Sequence, residues 1–220
     1  MSSIISFIGW HDSGKTTLAT QVVAELKKLG YRVGVIKSSS DAGIEFDTPG
    51  TDTYKHRQAG ADSVMIVAPD QMVLQTKNRG LSLRTLAHRY FPDVDIIVGE
   101  GFKTARQVAK IEVFKDLDQR LRDEVSGVIA VATDLPGVVA DYVFRLDEAR
   151  EIALFIEKRF FRQKGEAEVA ALLVNGNKVP LKNFVQEALA GTVHGFINTL
   201  KLGTEIKEIE LRIKIERDGV

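Results

Sequence analysis

The sequence predicts an α/β fold in which a mainly parallel sheet carries helices on both faces. Three observations support this prediction. Short apolar runs of strand length alternate with longer segments whose apolar residues have helical spacing. Glycine or polar residues separate these segments, as expected at helix ends and turns. The alternation continues to residue 160, which is typical of successive βαβ units.

The first four segments define the start of this fold. Residues 4–8 are apolar except for one serine and predict a buried strand. Residues 16–29 have the apolar spacing of a helix, which Gly30 ends. Residues 32–37 predict a second strand. The polar residues 38–53 predict a long functional loop, because strands continue beyond them.

The later segments repeat the alternation. Gly60 ends a short helix, and Pro69-Asp70 supplies the turn of a β-hairpin. The predicted elements are a helix at 53–59, hairpin strands at 63–68 and 71–76, a helix at 83–90, strands at 94–99, 111–114 and 128–132, and a helix at 148–160.

The pattern changes at the polar residues 162–166. We therefore predict two domains, a larger one over residues 1–162 and a small α+β accessory domain over residues 163–220. Asn175-Gly176 is a strong hairpin signal within the second domain. Its predicted ββαβ elements are strands at 170–175 and 178–181, a helix at 184–200 and an alternating strand at 206–215.

Composition excludes several classes of function. Thirty basic residues balance thirty acidic ones, so no overall charge favours nucleic acid or an anionic membrane. No apolar run approaches the roughly 20 residues of a membrane span. The chain has no cysteine and therefore no disulfide or thiolate metal site. Its four histidines lack metal-ligand spacing. A cytoplasmic location is the expectation.

The most informative motif is G-x-x-x-x-G-K-T, which lies between the first strand and the first helix at residues 9–16. This order defines a phosphate-binding loop, or P-loop, in which backbone N–H groups and the helix N-terminus face phosphate oxygens. Lys15 would contact the β- and γ-phosphates, Thr16 would place its hydroxyl on Mg²⁺, and Thr17 is a candidate for the α-phosphate. The larger domain is therefore predicted to resemble P-loop NTPases.

The nucleotide-binding set of the loop extends beyond its lysine. His11 and Asp12 occupy variable positions of the motif, and we expect their side chains to be exposed spacers. The members of the set within the loop are Gly9, Asp12, Ser13, Gly14, Lys15, Thr16 and Thr17.

A P-loop also needs a second acidic group near Mg²⁺. Asp95 begins a strongly apolar strand and Glu100 ends it. Because ligands bind at the carboxyl ends of parallel strands, Glu100 is the better candidate, either for Mg²⁺ or for orienting an attacking water. An ordinary turn glutamate is the alternative interpretation.

Four further residues are weaker candidates. Lys37 ends the second strand and would contact phosphate or be a solvated lysine. Asp47 and Asp52 lie within reach of a metal in principle, although aspartates also form turns. Asp134 follows the strand at 128–132, where it would either accept hydrogen bonds from guanine or cap the next turn.

The larger domain resembles the molybdopterin-guanine dinucleotide biosynthesis adaptor family, MobB, over about residues 3–160. The most specific matches are F-D-x-P-G-x-D-x-x-x-x-x-x-A-G-A at residues 46–61 and E-G-F-K at residues 100–103. Residues 110–113, K-I-E-V, and the S-G-K-T-T form of the loop also match. Two positions depart from the family: residues 38–40 are serines in place of a His-rich stretch, and Gly99 replaces a branched residue.

This resemblance implies a dimeric GTP-binding protein with weak GTPase activity. Such proteins assist a molybdenum cofactor guanylyltransferase, which attaches GMP to molybdopterin, in its free or metal-bound form. Glu100 and Asp52 would be the catalytic residues near the γ-phosphate, Thr16 and Glu100 would bind Mg²⁺, and Asp134 would lie near the base.

Two other functions remain open. A small-molecule kinase would use the same loop but needs an acidic base and an arginine-rich lid. A non-enzymatic module would use nucleotide only to gate assembly, with the C-terminal domain as its docking surface. Slow hydrolysis fits the sequence, because it offers no obvious catalytic base in the loop and no arginine finger in cis.

Overall fold

A computed structural model describes most of the chain, with gaps that fall mainly in its C-terminal quarter. Two compact units are present, Met1–Lys164 and Gly165–Val220. The described residues are 3–121, 124–161, 169–175, 177–179, 181–200, 202–203 and 205–213.

The first unit contains twelve helices and strands among its described residues, and eleven of them were predicted. In chain order they are β1 (Ser3–Ile8), α1 (Lys15–Lys28), β2 (Val33–Lys37), α2 (Asp52–Gln58), β3 (Ser63–Val67), β4 (Met72–Thr76), α3 (Leu83–Tyr90), β5 (Ile96–Glu100), β6 (Ala109–Val113), β7 (Val128–Ala132), β8 (Val143–Phe144) and α4 (Ala149–Phe160). A single turn of 3₁₀ helix covers Leu117–Gln119.

The main sheet has six strands in the order β2-β5-β1-β6-β7-β8, and all neighbouring pairs are parallel. The predicted mainly parallel sheet is confirmed. The order places β1 between β5 and β6, so the chain leaves β1 towards one side and later returns to the other side. Ligands bind at such a change of direction in open α/β sheets.

Helices cover both faces of this sheet, as predicted. On one face, α1 and α4 pack against alternate residues of the central strands. The buried residues of this cluster are Ile5, Phe7, Leu18, Ala19, Val22, Leu26, Ile96, Val98, Ile111, Val113, Ala130, Ala132, Ala149, Ile152, Ala153 and Ile156. On the other face, α3 buries Leu83 and Ala87 against Ile97 and Val108. The alternation of faces along each strand is what the period of two in a strand requires.

The connection from β5 to β6 has no helix. Residues 101–108 pass beside β1 and join two parallel strands. Crossovers between parallel strands usually need a dozen or more residues. The buried Lys110, the second residue of β6, secures this segment, since its Nζ donates hydrogen bonds of 2.6 Å to the carbonyls of Ala105 and Ser126. Burial lowers the pKa of the Lys110 ammonium.

The predicted hairpin is confirmed, but it lies outside the main sheet. β3 and β4 pair antiparallel as a separate two-stranded sheet. Six of its apolar side chains are exposed: Met65, Ile66, Val67, Met72, Val73 and Leu74.

One short strand was missed by the sequence analysis. β8 has two residues, of which Val143 pairs with Val131 and Phe144 with Ala132. A two-residue strand is shorter than any window in which hydrophobic periodicity can be read.

The second unit contains two short strands and one helix among its described residues. β9 (Leu172–Val174) and β10 (Asn177–Val179) pair antiparallel, and α5 spans Asn183–Asn198. Asn175 adopts the left-handed backbone expected at the turn, with φ of 50°. Gly176 and the boundary stretch 162–166 lie outside the described residues.

The predicted strand at 206–215 is wrong over residues 206–213, which form no regular structure. The last two residues of that prediction lie outside the described part. Alternation of apolar and polar residues specifies which side chains would share a face, but a strand exists only when its backbone pairs with another strand. The described elements of this unit are therefore ββα, in place of the predicted ββαβ.

Candidate functional site

The parallel sheet brings the carboxyl ends of its strands to one edge. In the strand register, Glu100 lies beside Phe7 on one side and beside Lys37 on the other. The loop of residues 9–16 follows β1 directly. The structure therefore places three sequence-predicted features, the loop, Lys37 and Glu100, next to each other.

Sterics and backbone conformation set the shape of the loop. A Cβ added to Gly9 would lie 2.2 Å from the backbone oxygen of Val113 and 2.7 Å from Ser13 Oγ, so no side chain fits there. Gly14 has φ of 91°, in the left-handed region, and α1 begins at the next residue. Both glycines are therefore required by local structure, for different reasons.

The start of α1 has features of an anion site. No side chain caps its first turn, although helix N-termini carry unpaired N–H groups and partial positive charge. Ser13 is 1% exposed, and its buried Oγ has no hydrogen-bond partner. A buried hydroxyl without a partner is rare in folded proteins. The loop thus combines a shaped backbone with donors that could bind phosphate oxygens.

Glu100 is the centre of the polar contacts. Its Oε1 accepts hydrogen bonds from Thr16 Oγ1 at 2.5 Å and from Lys37 Nζ at 2.9 Å. Burial opposes ionisation of this carboxyl. The hydrogen bonds from Thr16 and Lys37, with the charges of Lys37 and Lys15, outweigh that effect and hold the Glu100 pKa below its ordinary value. The residue is therefore a carboxylate at neutral pH, beside the threonine of the loop.

Lys15 has no carboxylate within ion-pair distance among the described residues. Its Nζ donates a 2.9 Å hydrogen bond to the carbonyl of Trp10 within the loop. Burial lowers the pKa of the Lys15 ammonium, the positive charges of Lys103 and Lys37 lower it further, and Glu100 opposes them. The loop therefore holds an excess of positive charge at the position where phosphate would bind.

Two lysines near the loop were missed by the sequence analysis as site residues. Lys103 Nζ lies 4.0 Å from the centre of the Trp10 ring. The side chain of Lys115 approaches Gly14, where an added Cβ would lie 3.4 Å from Cε and 3.6 Å from Nζ. Lys103 belongs to the E-G-F-K run, which was a usable signal. Lys115 follows β6, and its approach to the loop depends on the strand order.

The side chains of His11 and Asp12 lie in solvent, with 93% and 88% of their side-chain surface exposed. They contact each other at 2.7 Å. Thr17 is also exposed, in the first turn of α1.

Among the described residues, no side chain of the long loop forms a hydrogen bond or ion pair with Glu100. The Asp52 carboxylate is 90% exposed on its side chain and pairs with Lys55 at 3.0 Å. Asp47 accepts hydrogen bonds from the hydroxyls of Thr51 and Thr53, both at 2.9 Å, and so stabilises the turn before α2. Asp47 therefore acts as a turn-forming residue.

Asp134 follows β7 at the same edge of the sheet as the loop. Its Oδ1 accepts a 3.1 Å hydrogen bond from the backbone N–H of Leu146 and lies 3.9 Å from Arg145 Nε. This arrangement orients the carboxylate at the strand end.

Among the described residues, no group of three or more His, Asp or Glu side chains is arranged to hold a metal ion. No helix in this part of the chain combines the length and hydropathy needed to cross a membrane.

Comparison with protein families gives one matching model. The model described as "Molybdopterin guanine dinucleotide synthesis protein B" matches residues 4–134, a span that contains the loop, Glu100 and Asp134.

Two named relatives differ in how much of this chain they cover. The Escherichia coli K12 molybdopterin-guanine dinucleotide biosynthesis adapter protein is 31% identical over 75% of this chain and 97% of its own length. A Methanocaldococcus jannaschii protein, provisionally named for the same adapter group, is 27% identical over 97% of this chain and 98% of its own. The second alignment therefore includes most of the C-terminal unit.

Solved structures share the fold. A crystal structure of molybdopterin-guanine biosynthesis protein B is 30% identical and superposes with a TM-score of 0.59, covering 71% of this chain and 99% of that one. The Bacillus subtilis MobB structure, at 21% identity and a TM-score of 0.59, covers 74% and 99%.

Proposed function

Because the chain belongs to the molybdopterin guanine dinucleotide synthesis protein B family, we propose that it is a GTP-binding adaptor with weak GTPase activity. It would assist a guanylyltransferase that attaches GMP to molybdopterin, or to its metal-bound form, in molybdenum or tungsten cofactor biosynthesis. The observation that carries this proposal is the contact of Glu100 with Thr16 and Lys37 beside a loop in which the buried Ser13 hydroxyl has no hydrogen-bond partner.

The loop would hold the phosphates. Lys15 would exchange the Trp10 carbonyl for β- and γ-phosphate oxygens, because charge-assisted hydrogen bonds are stronger than neutral ones. Ser13 supplies a buried hydroxyl that needs a partner. The backbone N–H groups of the loop and Lys37 would complete the set. Gly9 leaves room for this curvature, and Thr17 would reach the α-phosphate.

Thr16 and Glu100 are the residues that would hold Mg²⁺. A hydroxyl and an ionised carboxylate are oxygen ligands of the kind that Mg²⁺ prefers, and Mg²⁺ usually takes few protein ligands besides phosphate and water. The depressed pKa of Glu100 fits this role, because the ligand must be ionised. Bound Mg²⁺ would neutralise charge on the β- and γ-phosphates.

We propose Asp134 as the guanine-recognition residue. A carboxylate can accept two hydrogen bonds from the N1–H and N2–H₂ groups of guanine, whereas adenine offers no such pair. The bond from Leu146 N–H supports this role, because it orients the carboxylate at the same sheet edge as the loop.

Weak hydrolysis is part of the proposal. Glu100 would orient the attacking water, and Asp52 would need to approach from its exposed position on α2. Phosphoryl transfer depends mainly on positioning and charge stabilisation, so missing groups slow it strongly. The partner transferase would then act on a nucleotide-loaded adaptor.

We also propose that the chain forms a homodimer in the cytoplasm. The exposed apolar side chains of the β3–β4 hairpin support self-association, since contiguous exposed apolar surface is a feature of interaction sites. A two-stranded hairpin is also marginally stable without further packing. Residues 163–220 would form the accessory domain, for which the division into compact units near residue 164 is the support.

Calorimetric titration with GTP, ATP and GDP, each with and without Mg²⁺, tests the proposal. We expect GTP to bind more tightly with Mg²⁺, and more tightly than ATP. Asp134→Asn should reduce the preference for GTP, and Lys15→Ala should abolish binding. Lys28→Ala, at the other end of α1, is the matched control and should bind normally. Absence of GTP binding to the full chain with Mg²⁺ would refute the nucleotide-binding role.

A further inference from the structure

Trp10 contacts two lysines, one through its backbone carbonyl and one through its ring. It is the only tryptophan of the chain. Its carbonyl accepts the hydrogen bond from Lys15, and the ammonium of Lys103 lies over its ring at 4.0 Å from the centre. The residue is 46% exposed.

Lys103 is a positive charge without an anionic partner. The side chain is half-buried, and no carboxylate of a described residue lies within 4.0 Å of its ammonium. It also contributes to the lowered pKa of Lys15, so the two ammonium groups repel each other. A lysine ammonium is attracted more strongly by a phosphate group than by the face of an aromatic ring. The arrangement therefore favours a bound anion between the two lysines.

The backbone before Lys103 is held in a strained conformation. Gly101 and Phe102 have φ of 92° and 52°, both in the left-handed region, which a residue with a Cβ rarely adopts. Gly101 is secured from both sides, because its N–H donates to Phe7 O at 2.9 Å and its carbonyl accepts from Ser6 Oγ at 2.8 Å.

Phe102 itself packs against the cluster that contains Leu83 on α3. Backbone strain of this kind persists where the surrounding packing enforces it, often beside functional groups. These contacts fix the backbone at Lys103, whose side chain then reaches back to the loop.

We propose that Lys103 is a second phosphate-binding lysine. When a nucleoside triphosphate binds, the Lys103 ammonium would move away from the Trp10 ring and contact the terminal phosphate. The inference rests on the proposed function. The P-loop lysine serves the β- and γ-phosphates. Lys103 and Lys15 both contact Trp10, and Lys103 follows Glu100 by three positions in the sequence. It therefore lies at the end of the site where the terminal phosphate would be.

The test uses Trp10 as a natural fluorescent reporter in the full-length chain. Wild type, Lys103→Met and Lys103→Arg are titrated with a non-hydrolysable GTP analogue and with GDP in the presence of Mg²⁺, and affinities are checked by calorimetry. Lys28→Met is the matched control, because Lys28 lies about 20 Å from Lys15 along the axis of α1. Circular dichroism confirms that each variant is folded.

The prediction concerns the ratio of the two affinities. Lys103→Met should bind the triphosphate analogue about tenfold to a hundredfold more weakly, which is the effect of one lost charge-assisted contact, while its GDP affinity stays within about twofold. Lys103→Arg should recover most of the loss, and Lys28→Met should behave as wild type. In wild type, the analogue should change Trp10 emission, whereas Lys103→Met should lack that change.

A second variant tests the contact of Lys103 with the Trp10 ring separately from its contact with phosphate. Trp10→Leu removes the resting partner of Lys103 but keeps the lysine, so calorimetry should show triphosphate affinity that is unchanged or a few times tighter. If wild type binds both nucleotides and Lys103→Met has the same ratio of triphosphate to diphosphate affinity as wild type, the proposed role of Lys103 is overturned and the proposed function is not. Failure of wild type to bind either nucleotide would overturn this role and the proposed function together.

Discussion

At the scale of single residues, Glu100 connects the sheet to the loop. It is 7% exposed, yet its carboxylate is ionised because Thr16 and Lys37 donate hydrogen bonds to it. A buried carboxylate left without such donors would be strongly unfavourable. The same contacts that stabilise the residue place it where a cation would bind.

Removal of the Glu100 charge should weaken the GTP binding that depends on Mg²⁺. We expect Glu100→Gln to weaken Mg²⁺-dependent GTP binding by about tenfold to a hundredfold, because one charged ligand is lost. Binding measured without Mg²⁺ should change little. Calorimetry with and without Mg²⁺ measures both, and Glu25→Gln, at a half-buried residue near the other end of α1 that pairs with Lys28, is the control. Equal losses in the two conditions would argue against a role on the metal.

The same residue predicts a dependence of stability on pH. The Glu100 pKa is lower in the folded chain than in the unfolded one, so its ionisation stabilises the fold above the unfolded pKa of about 4.3. This contribution is lost as the pH falls through the folded pKa. Urea unfolding at pH 7, 5 and below 4 should show a constant difference between wild type and Glu100→Gln at the first two values and a smaller one in acid. A difference that grows in acid would contradict this assignment.

Steric restriction at Gly9 leads to a separate prediction. Gly9→Ala would force a Cβ to within 2.2 Å of a backbone oxygen of β6, and neither strand can move freely inside the sheet. We expect a loss of about 1–3 kcal/mol in unfolding free energy together with loss of nucleotide binding. Gly191→Ala in α5, where the added Cβ meets no atom within 4 Å, should not destabilise the chain. Thermal and urea unfolding distinguish the two variants.

At the scale of elements, the packing of α3 on β5 explains an unusual residue. Gly99 lies in a fully buried strand, between the apolar residues 96–98 and Glu100. A Cβ at this position would lie 3.1 Å from Leu83 Cδ2 and 3.0 Å from Ser6 Oγ. The glycine thus lets α3 approach the sheet closely, while Ser6 stays free to bond the carbonyl of Gly101.

This explanation predicts compensation between two positions. Gly99→Val should destabilise the first unit by about 1–3 kcal/mol through overpacking. Leu83→Ala alone should also destabilise it, since Leu83 is 2% exposed. The double variant should be less destabilised than the sum of the two, because the valine fills space that the leucine vacates. A double-mutant cycle in urea measures the coupling, and additivity would refute it.

The elements also show what sequence periodicity can and cannot predict. β7 and α3 were predicted to the residue, because each is flanked by strong turn or capping residues such as Ser82 before α3. The strand predicted at 206–215 failed over its described part, since pairing depends on a partner strand and not on alternation. Glu100 could be predicted from its position at a strand end. Lys115 could not, because its approach to Gly14 follows from the placement of β6 beside β1.

At the scale of the whole molecule, the β3–β4 hairpin of the first unit exposes an apolar surface. The main sheet is covered by helices on both faces, whereas the β3–β4 hairpin exposes apolar side chains along both strands. Paired residues Ile66 and Val73 are each 51% exposed. In water such a surface favours association.

Charge placed on this hairpin should therefore weaken self-association. We expect Ile66→Lys with Val73→Lys to shift the full chain towards monomer, with little change in its GTP affinity. Sedimentation equilibrium over a range of protein concentrations measures the shift. Val139→Lys, at a residue of the first unit that is 80% exposed, is the control and should associate as wild type does. Identical sedimentation of the hairpin variant and wild type would exclude this surface.

The short connection between β5 and β6 limits how the site can move. Its eight residues, 101–108, must return along a strand length of roughly 17 Å and cross two strand spacings of nearly 5 Å at right angles to it, a direct distance of about 20 Å, while a fully extended chain of that length reaches about 28 Å. Lys110 fastens the middle of the segment through its hydrogen bond to the carbonyl of Ala105. A short segment held in this way has little freedom for large lid-like movements. Adjustment to a ligand would come from side-chain rotation at a preformed edge, on a time scale much faster than that of domain closure.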